Sequence, residues 1–260
     1  MLKAFSTAAT GMASQQTMID SIAHNLANIN TNGYKRAQVN FQDLLYLKLR
    51  EAGREISSGI IAPSGLEIGS GVRMSSTNKV YAIGELQTTG RDLDLAIQGD
   101  GFFEVTLANG DKRYTRDGSL SMDANGQLVN SSGYIISPGI TIPSNATTID
   151  VGGDGTVSVM TPSGSTTIGT MQLYRFANPA GLSAEGDNLL RETLASGTVT
   201  SGTGGDDGFG SILSKTLEKS NVEMVTELVN LIQAQRGYEI NSRVIKAGDN
   251  ILRNLNFLIR

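Results

Sequence analysis

The chain has 260 residues and a mass of 27.5 kDa, enough for one large domain or two small ones. With no cysteine and one histidine, His24, it excludes disulfides, thiol nucleophiles and multi-histidine metal sites, and a net charge of −4 leaves no basic surplus for nucleic acid. Membrane insertion is not expected, because no run of about 18 apolar residues occurs; nor is a secretory signal, because Ser6-Thr7 breaks the apolar stretch behind Lys3.

Glycine and proline divide the chain into unlike materials. One glycine lies in residues 1–32 and two in 219–260, while the other 28 and all five prolines fall between. Both residues are poor in helix interiors and mark turns, so the order reads helix, turn-rich region, helix.

Residues 1–32 carry a heptad. Phe5, Ala8, Met12, Gln15, Ile19, Ile22, Leu26 and Ile29 recur in steps of three and four. Lys3 and Asp20 are the only charged residues of this segment, whereas a helix bathed in water usually has a charged outer face. It is therefore expected to be covered on more than one side. From about Leu47 to Arg73 periodicity is weak and glycine recurs, which predicts an extended arm.

Strands then alternate with turn signals. Asn109-Gly110 and Asn125-Gly126 each sit between apolar runs, as type I′ hairpins require. Gly153-Asp154-Gly155 and Pro162-Ser163-Gly164 turn the chain again. Short strands at this spacing predict an all-β barrel or sandwich. Ser196–Gly210, with six glycines, reads as a flexible loop or the approach to the last helix.

The last helix is predicted to start at an N-cap on Ser220 or Asn221, with Glu223 in its first turn. Met224, Leu228, Leu231, Tyr238, Ile245, Leu252 and Ile259 form one apolar seam; Val225, Ile232, Val244, Ile251 and Leu258 form another. Two seams imply two packing partners, with Phe5, Met12, Ile19, Ile22, Leu26 and Ile29 expected to pack against Leu228, Leu231, Tyr238, Ile245 and Leu252.

Chemical motifs are weak. Gly99-Asp100-Gly101 and Gly69-Ser70-Gly71 begin a dinucleotide fingerprint but lack its third glycine, and Asp123-Ala124-Asn125-Gly126 lacks the distal glutamate of a calcium loop. His24 lies opposite the heptad seam, where a polar contact suits it better than catalysis. Asp92 with Asp94, and Asp206 with Asp207, could converge as acid pairs, but such acids in glycine-rich loops are usually solvated. No catalytic residue, metal or cofactor is expected.

The expected fold class is α+β: long N- and C-terminal helices paired in a coiled-coil-like manner, with an inserted all-β domain and an extended arm. Residues 1–33 with 215–260 form the terminal helical part, 34–73 the arm and 74–214 the β domain. Long apolar-faced helices are not stable alone in water. Copies of the same chain are the economical partner, and a head-to-tail contact that does not close makes a filament. Burying a Leu or Ile side chain is worth about 1.5–3 kcal/mol, against under about 1 kcal/mol for a surface ion pair, so helix packing should dominate.

Several ordered blocks resemble the bacterial flagellar rod and hook family: Asn25-Leu26-Ala27-Asn28-Ile29-Asn30-Thr31-Asn32-Gly33-Tyr34-Lys35-Arg36, Asp94 to Phe103, Tyr114 to Ser119, Ser220-Asn221-Val222 and Gln235-Arg236-Gly237-Tyr238. Ala62 to Arg73 makes the chain most similar to the distal-rod branch. His24 stands where the family commonly has Asn, and Gly237 where Ala is usual, at about 1 kcal/mol of helix propensity. The resemblance implies a non-enzymatic subunit of a hollow, rigid drive shaft in the basal body, exported by the flagellar type III apparatus without a cleaved signal. Its implied partners are itself, proximal rod subunits, the hook protein, the rings of the peptidoglycan layer and outer membrane, and a rod cap. Another axial protein of the same apparatus, and less so a secreted wall-binding β protein, remain as alternatives.

Overall fold

The computed structural model of the protein describes residues 2–53, 55–57, 60–61 and 63–258. Ile259 of the predicted seam and Ala62 of the predicted arm lie outside them. The architecture is α+β, with one long helix near each end and a β-rich middle. Two compact units divide the chain: Met1–Leu26, Ala37–Asn78 and Glu223–Arg260 make one, Ala27–Arg36 and Lys79–Val222 the other.

In the first unit α1 spans Leu2–Ala27 and α2 spans Met224–Leu258. Between them in sequence lie nested strand pairs. Ala37–Asp43 pairs with Val72–Lys79, Leu47–Arg50 with Leu66–Ile68, and Glu55–Ser57 with Ile60–Ile61. The segment of weak periodicity is thus hydrogen-bonded strand, with Leu47 opposite Ile68 and Lys48 opposite Glu67. Gly71, at φ +116°, lets the returning strand pass α1: a Cβ there would lie 2.2 Å from the Thr10 hydroxyl.

In the second unit a seven-stranded sheet runs in the order Ser121–Met122, Leu128–Val129, Ile135–Ile136, Phe103–Thr106, Lys112–Thr115, Leu189–Arg191, Ser183–Gly186. This sheet is open rather than closed on itself. A three-stranded antiparallel sheet, Thr148–Val151, Thr156–Thr161 and Gly164–Thr170, adjoins it in sequence. The predicted turns at 109–110, 125–126, 153–155 and 162–164 each join paired strands. Side chains on a strand alternate in direction, so Phe102 and Phe103 enter different cores. Phe103 joins Leu95, Val105, Leu128, Val157 and Met171, whereas Phe102 joins Tyr114, Tyr174, Phe176 and Leu190. The segment expected to be a flexible loop or the approach to the last helix contains paired strand: Thr200–Gly202 pairs with Leu173–Arg175, and Ser196 is fully buried and hydrogen-bonded to Thr193.

Candidate assembly surfaces

Helix α2 carries two kinds of surface. Its glycines come close to α1. A Cβ on Gly248 would lie 2.6 Å from the Phe5 ring, one on Gly237 3.1 Å from Gln15 Cδ, and one on Gly11 2.9 Å from the Asn241 amide. Numbers rise along one helix as they fall along the other, so α1 and α2 are antiparallel at these points. Glycine permits this approach because it has no Cβ. That gives Gly237 a packing reason which propensity alone conceals.

The bulky side chains of α2 are covered to different degrees. Leu231 and Ile245 are half-buried, but Leu228, Tyr238 and Leu252, expected against α1, are 41, 39 and 37 % exposed, and Ile232 is 50 % exposed. Met224, Val225, Val229, Ile240, Val244 and Ile251 are exposed beside them. On α1, Ala8 and Ile22 are buried; Phe5, Met12, Gln15, Ile19 and Leu26, like Ile29 beyond the helix end, are half-buried. Leu45, Tyr46, Leu47, Leu49, Leu66 and Ile68 of the 37–79 ribbon are exposed too. Large contiguous apolar surface marks an interaction site.

The predicted motif residues act chiefly as backbone staples. Asn25, near the end of α1, accepts from the Ala37 N–H and donates to the Ala37 carbonyl, both at 2.9 Å. Asn28 Oδ1 accepts from the Thr31 hydroxyl, and the Asn32 carbonyl accepts from Asn188. Gly33, at φ +66°, donates to the Glu218 carbonyl at 2.8 Å, and a Cβ there would sit 2.6 Å from the Arg116 carbonyl carbon. Asn221 does not cap a helix, because α2 begins at Met224. Its Oδ1 accepts from the Arg36 N–H at 2.8 Å, and its Nδ2 donates to the carbonyls of Val80 and Ala82 at 2.8 and 3.0 Å. Ser220 Oγ accepts from the Val222 N–H. Glu223 precedes the helix and accepts from Thr226. Gln235 and Arg236 are exposed on α2.

Around these staples lies a buried ionic cluster that sequence reasoning missed. Lys35 Nζ donates to Glu218 Oε1 at 2.5 Å and to the Ala82 carbonyl at 2.8 Å. Arg116 Nη1 faces Glu218 Oε2 at 3.4 Å, Nη2 donates to the Gly99 carbonyl at 2.7 Å, and the guanidinium lies over the Phe102 ring. Burial pushes the Lys35 amine below its usual value against the pull of Glu218; it lowers Arg116 likewise, opposed by Glu218 and Asp100. All three side chains are at most 3 % exposed. The signal was present, since Lys35 and Arg116 both fall within the family-like blocks, but nothing local pairs them with Glu218.

Three of the four acids weighed as catalytic pairs are engaged elsewhere. Asp92 pairs with Lys215, Asp94 with Arg91 and Thr89, and Asp206 with Thr203. Asp123 accepts from the N–H groups of Asn125 and Gln127, as a turn residue does. Among the described residues no group of three or more His, Asp or Glu could hold a metal, and no helix is long and apolar enough to cross a membrane.

Three family models match: the flagella basal body rod protein over residues 5–35, the flagellar hook protein FlgE/F/G D1 domain over 96–159, and the C-terminal part of the flagellar basal body rod FlgEFG proteins over 213–258. The chain is 47 % identical to the flagellar basal-body rod protein FlgG of Buchnera aphidicola subsp. Schizaphis graminum over 252 residues, covering 96 % of each chain. It is 41 % identical to FlgG of Borreliella burgdorferi over the whole of both chains, and 33 % identical to the flagellar hook-basal body complex protein FlhP of Bacillus subtilis, covering 98 and 99 %.

Proposed function

The chain belongs to the flagellar basal-body rod proteins of the FlgG kind, and from that premise we propose that it is the structural subunit of the distal rod, polymerising helically into a hollow, rigid shaft that carries torque from motor to hook. The role is structural rather than enzymatic. One observation supports the polymer above all: both flanks of α2 stay apolar and exposed after α1 has taken its place. A 35-residue helix is about 50 Å long, and such a surface is unfavourable in water unless neighbours cover it.

In this reading α1 and α2 form one coiled-coil-like polymerisation element. Phe5, Met12, Ile19, Ile22, Leu26 and Ile29 belong to its inner packing, and Leu228, Leu231, Ile232, Tyr238, Ile245 and Leu252 to α2's contacts with α1 and with sister subunits. The ribbon braces subunit against subunit through its exposed leucines and tyrosine, and the β unit faces outward. Proximal rod subunits, the hook protein, a rod cap and the peptidoglycan-layer and outer-membrane rings are the partners of such a shaft in the basal body.

Leu228→Asp combined with Ile232→Asp tests the proposal. Both side chains are exposed in the single chain, so the variant should fold and remain soluble. It should form no rods by electron microscopy and support no motility. Normal rods in that variant would overturn the reading.

A further inference from the structure

The β unit contains a small pocket bounded by Gly33, Tyr34, Lys35, Lys79, Tyr81, Arg116, Asn188 and Leu190. Its free volume is about 20 Å³. A cavity needs roughly 10–15 Å³ to hold one water-sized occupant, so there is room for one atom-sized guest and not for a polyatomic one.

The wall is lopsided in charge. Three cations line it and no carboxylate does. Glu218 stands behind Lys35 and Arg116 and is shared between them, and Asp100 also acts on Arg116, so these two acids face three cations. Lys79 has no carboxylate within ion-pair distance among the described residues; its amine lies 5.9 Å from the centre of the Tyr34 ring, and burial pushes its pKa down. Asp117 lies beyond Asn188, whose amide reaches it at 3.4 Å and which also donates to the Asn32 carbonyl. Asp117 is itself engaged by Ser119.

Two donors on residues that line the pocket are unused. The Tyr81 hydroxyl is buried and has no hydrogen-bond partner among the described residues, and the same holds for Nε of Arg116, a residue only 4 % exposed. Unpaired buried donors and uncompensated buried cations are both costly. One guest relieves both: an anion, which accepts hydrogen bonds and carries the missing charge. A water molecule would meet the first need and leave the second.

We propose that this pocket is an atom-sized anion site, formed by Lys79, Tyr81 and Arg116, that takes chloride or another halide from solution and completes the charge balance of the Lys35–Glu218–Arg116 cluster. It is independent of the polymerisation reading, since every wall residue belongs to the β unit.

The test uses the full chain. Crystals grown in sodium bromide should show an anomalous peak within hydrogen-bonding distance of the Tyr81 hydroxyl. At constant ionic strength, replacing gluconate by chloride should favour folding about tenfold at ten times the dissociation constant. Lys79→Met should weaken the chloride response at least tenfold. Tyr81→Phe, which removes one oxygen and no charge, should weaken it less and serves if the first variant folds poorly. Equal stability in chloride and gluconate, or no bromide at the pocket, would overturn the proposal and leave water as the occupant.

Discussion

Glu218→Gln probes the ionic cluster most directly. In the native chain Glu218 Oε1 receives Lys35 at 2.5 Å and the Gly84 N–H at 2.9 Å, and Oε2 faces Arg116 at 3.4 Å. An amide keeps the shape and one acceptor but removes the charge. Two cations, 3 and 4 % exposed, then lack their common counter-ion. Breaking a buried pair from one side costs about 3–5 kcal/mol. The exposed Arg253–Asp249 pair is worth under about 1 kcal/mol, so Arg253→Ala is the control. Urea unfolding followed by tyrosine near-ultraviolet dichroism suits a chain with seven tyrosines and no tryptophan. With a slope of about 2–3 kcal/mol/M, the midpoint should fall by about 1–2 M. The sign with pH follows from Lys35, whose folded value is already lowered by burial. Below its unfolded value near 10.5 the unfolded chain binds more protons, so the deficit should shrink as pH rises toward that value. A loss no greater than that of Arg253→Ala would refute the idea that this carboxylate holds the cluster.

Other substitutions probe the staples and the aromatic core. Asn221→Ala removes three hydrogen bonds at about 1 kcal/mol each; the Arg36 amide should lose hydrogen-exchange protection, and unchanged protection would contradict the staple. Gly33→Ala places a Cβ against the Arg116 backbone at positive φ and should cost about 3 kcal/mol or more by denaturant unfolding. Burial raises the Tyr81 hydroxyl to about 12. Since the folded value lies above the unfolded one near 10, its contribution is whole below pH 10 and is lost as pH climbs through 12. Over that window the parent should lose about 3 kcal/mol more than Tyr81→Phe.

What was legible in the residues was local. Glycine depletion and heptad spacing located both helices, and Asn-Gly or Gly-Asp-Gly pairs located hairpins, because period and turn chemistry act over a few positions. Long-range pairing was not legible. Lys35 and Glu218 are 183 positions apart, and no local pattern announces their contact. The heptad also passed over the glycines of α2. It ranks positions by side-chain hydrophobicity, but Gly237 and Gly248 approach α1 by being small. Asn221 looked like a helix cap because an amide that caps and one that ties strands have the same composition and differ only in what surrounds them.

The helical unit draws on both extremities and on residues 37–78, while the β unit lies mostly within one uninterrupted stretch. A molecule delivered one end first can therefore complete its β unit early, but cannot close the helical one until its final segment arrives. Once the β unit has tied Arg36 to Asn221, the segments that lead into α1 and α2 start close together, and little loop-closure entropy remains to be lost. In such a delivery the exposed apolar side chains of α2 would come together with α1 only after the β unit is compact.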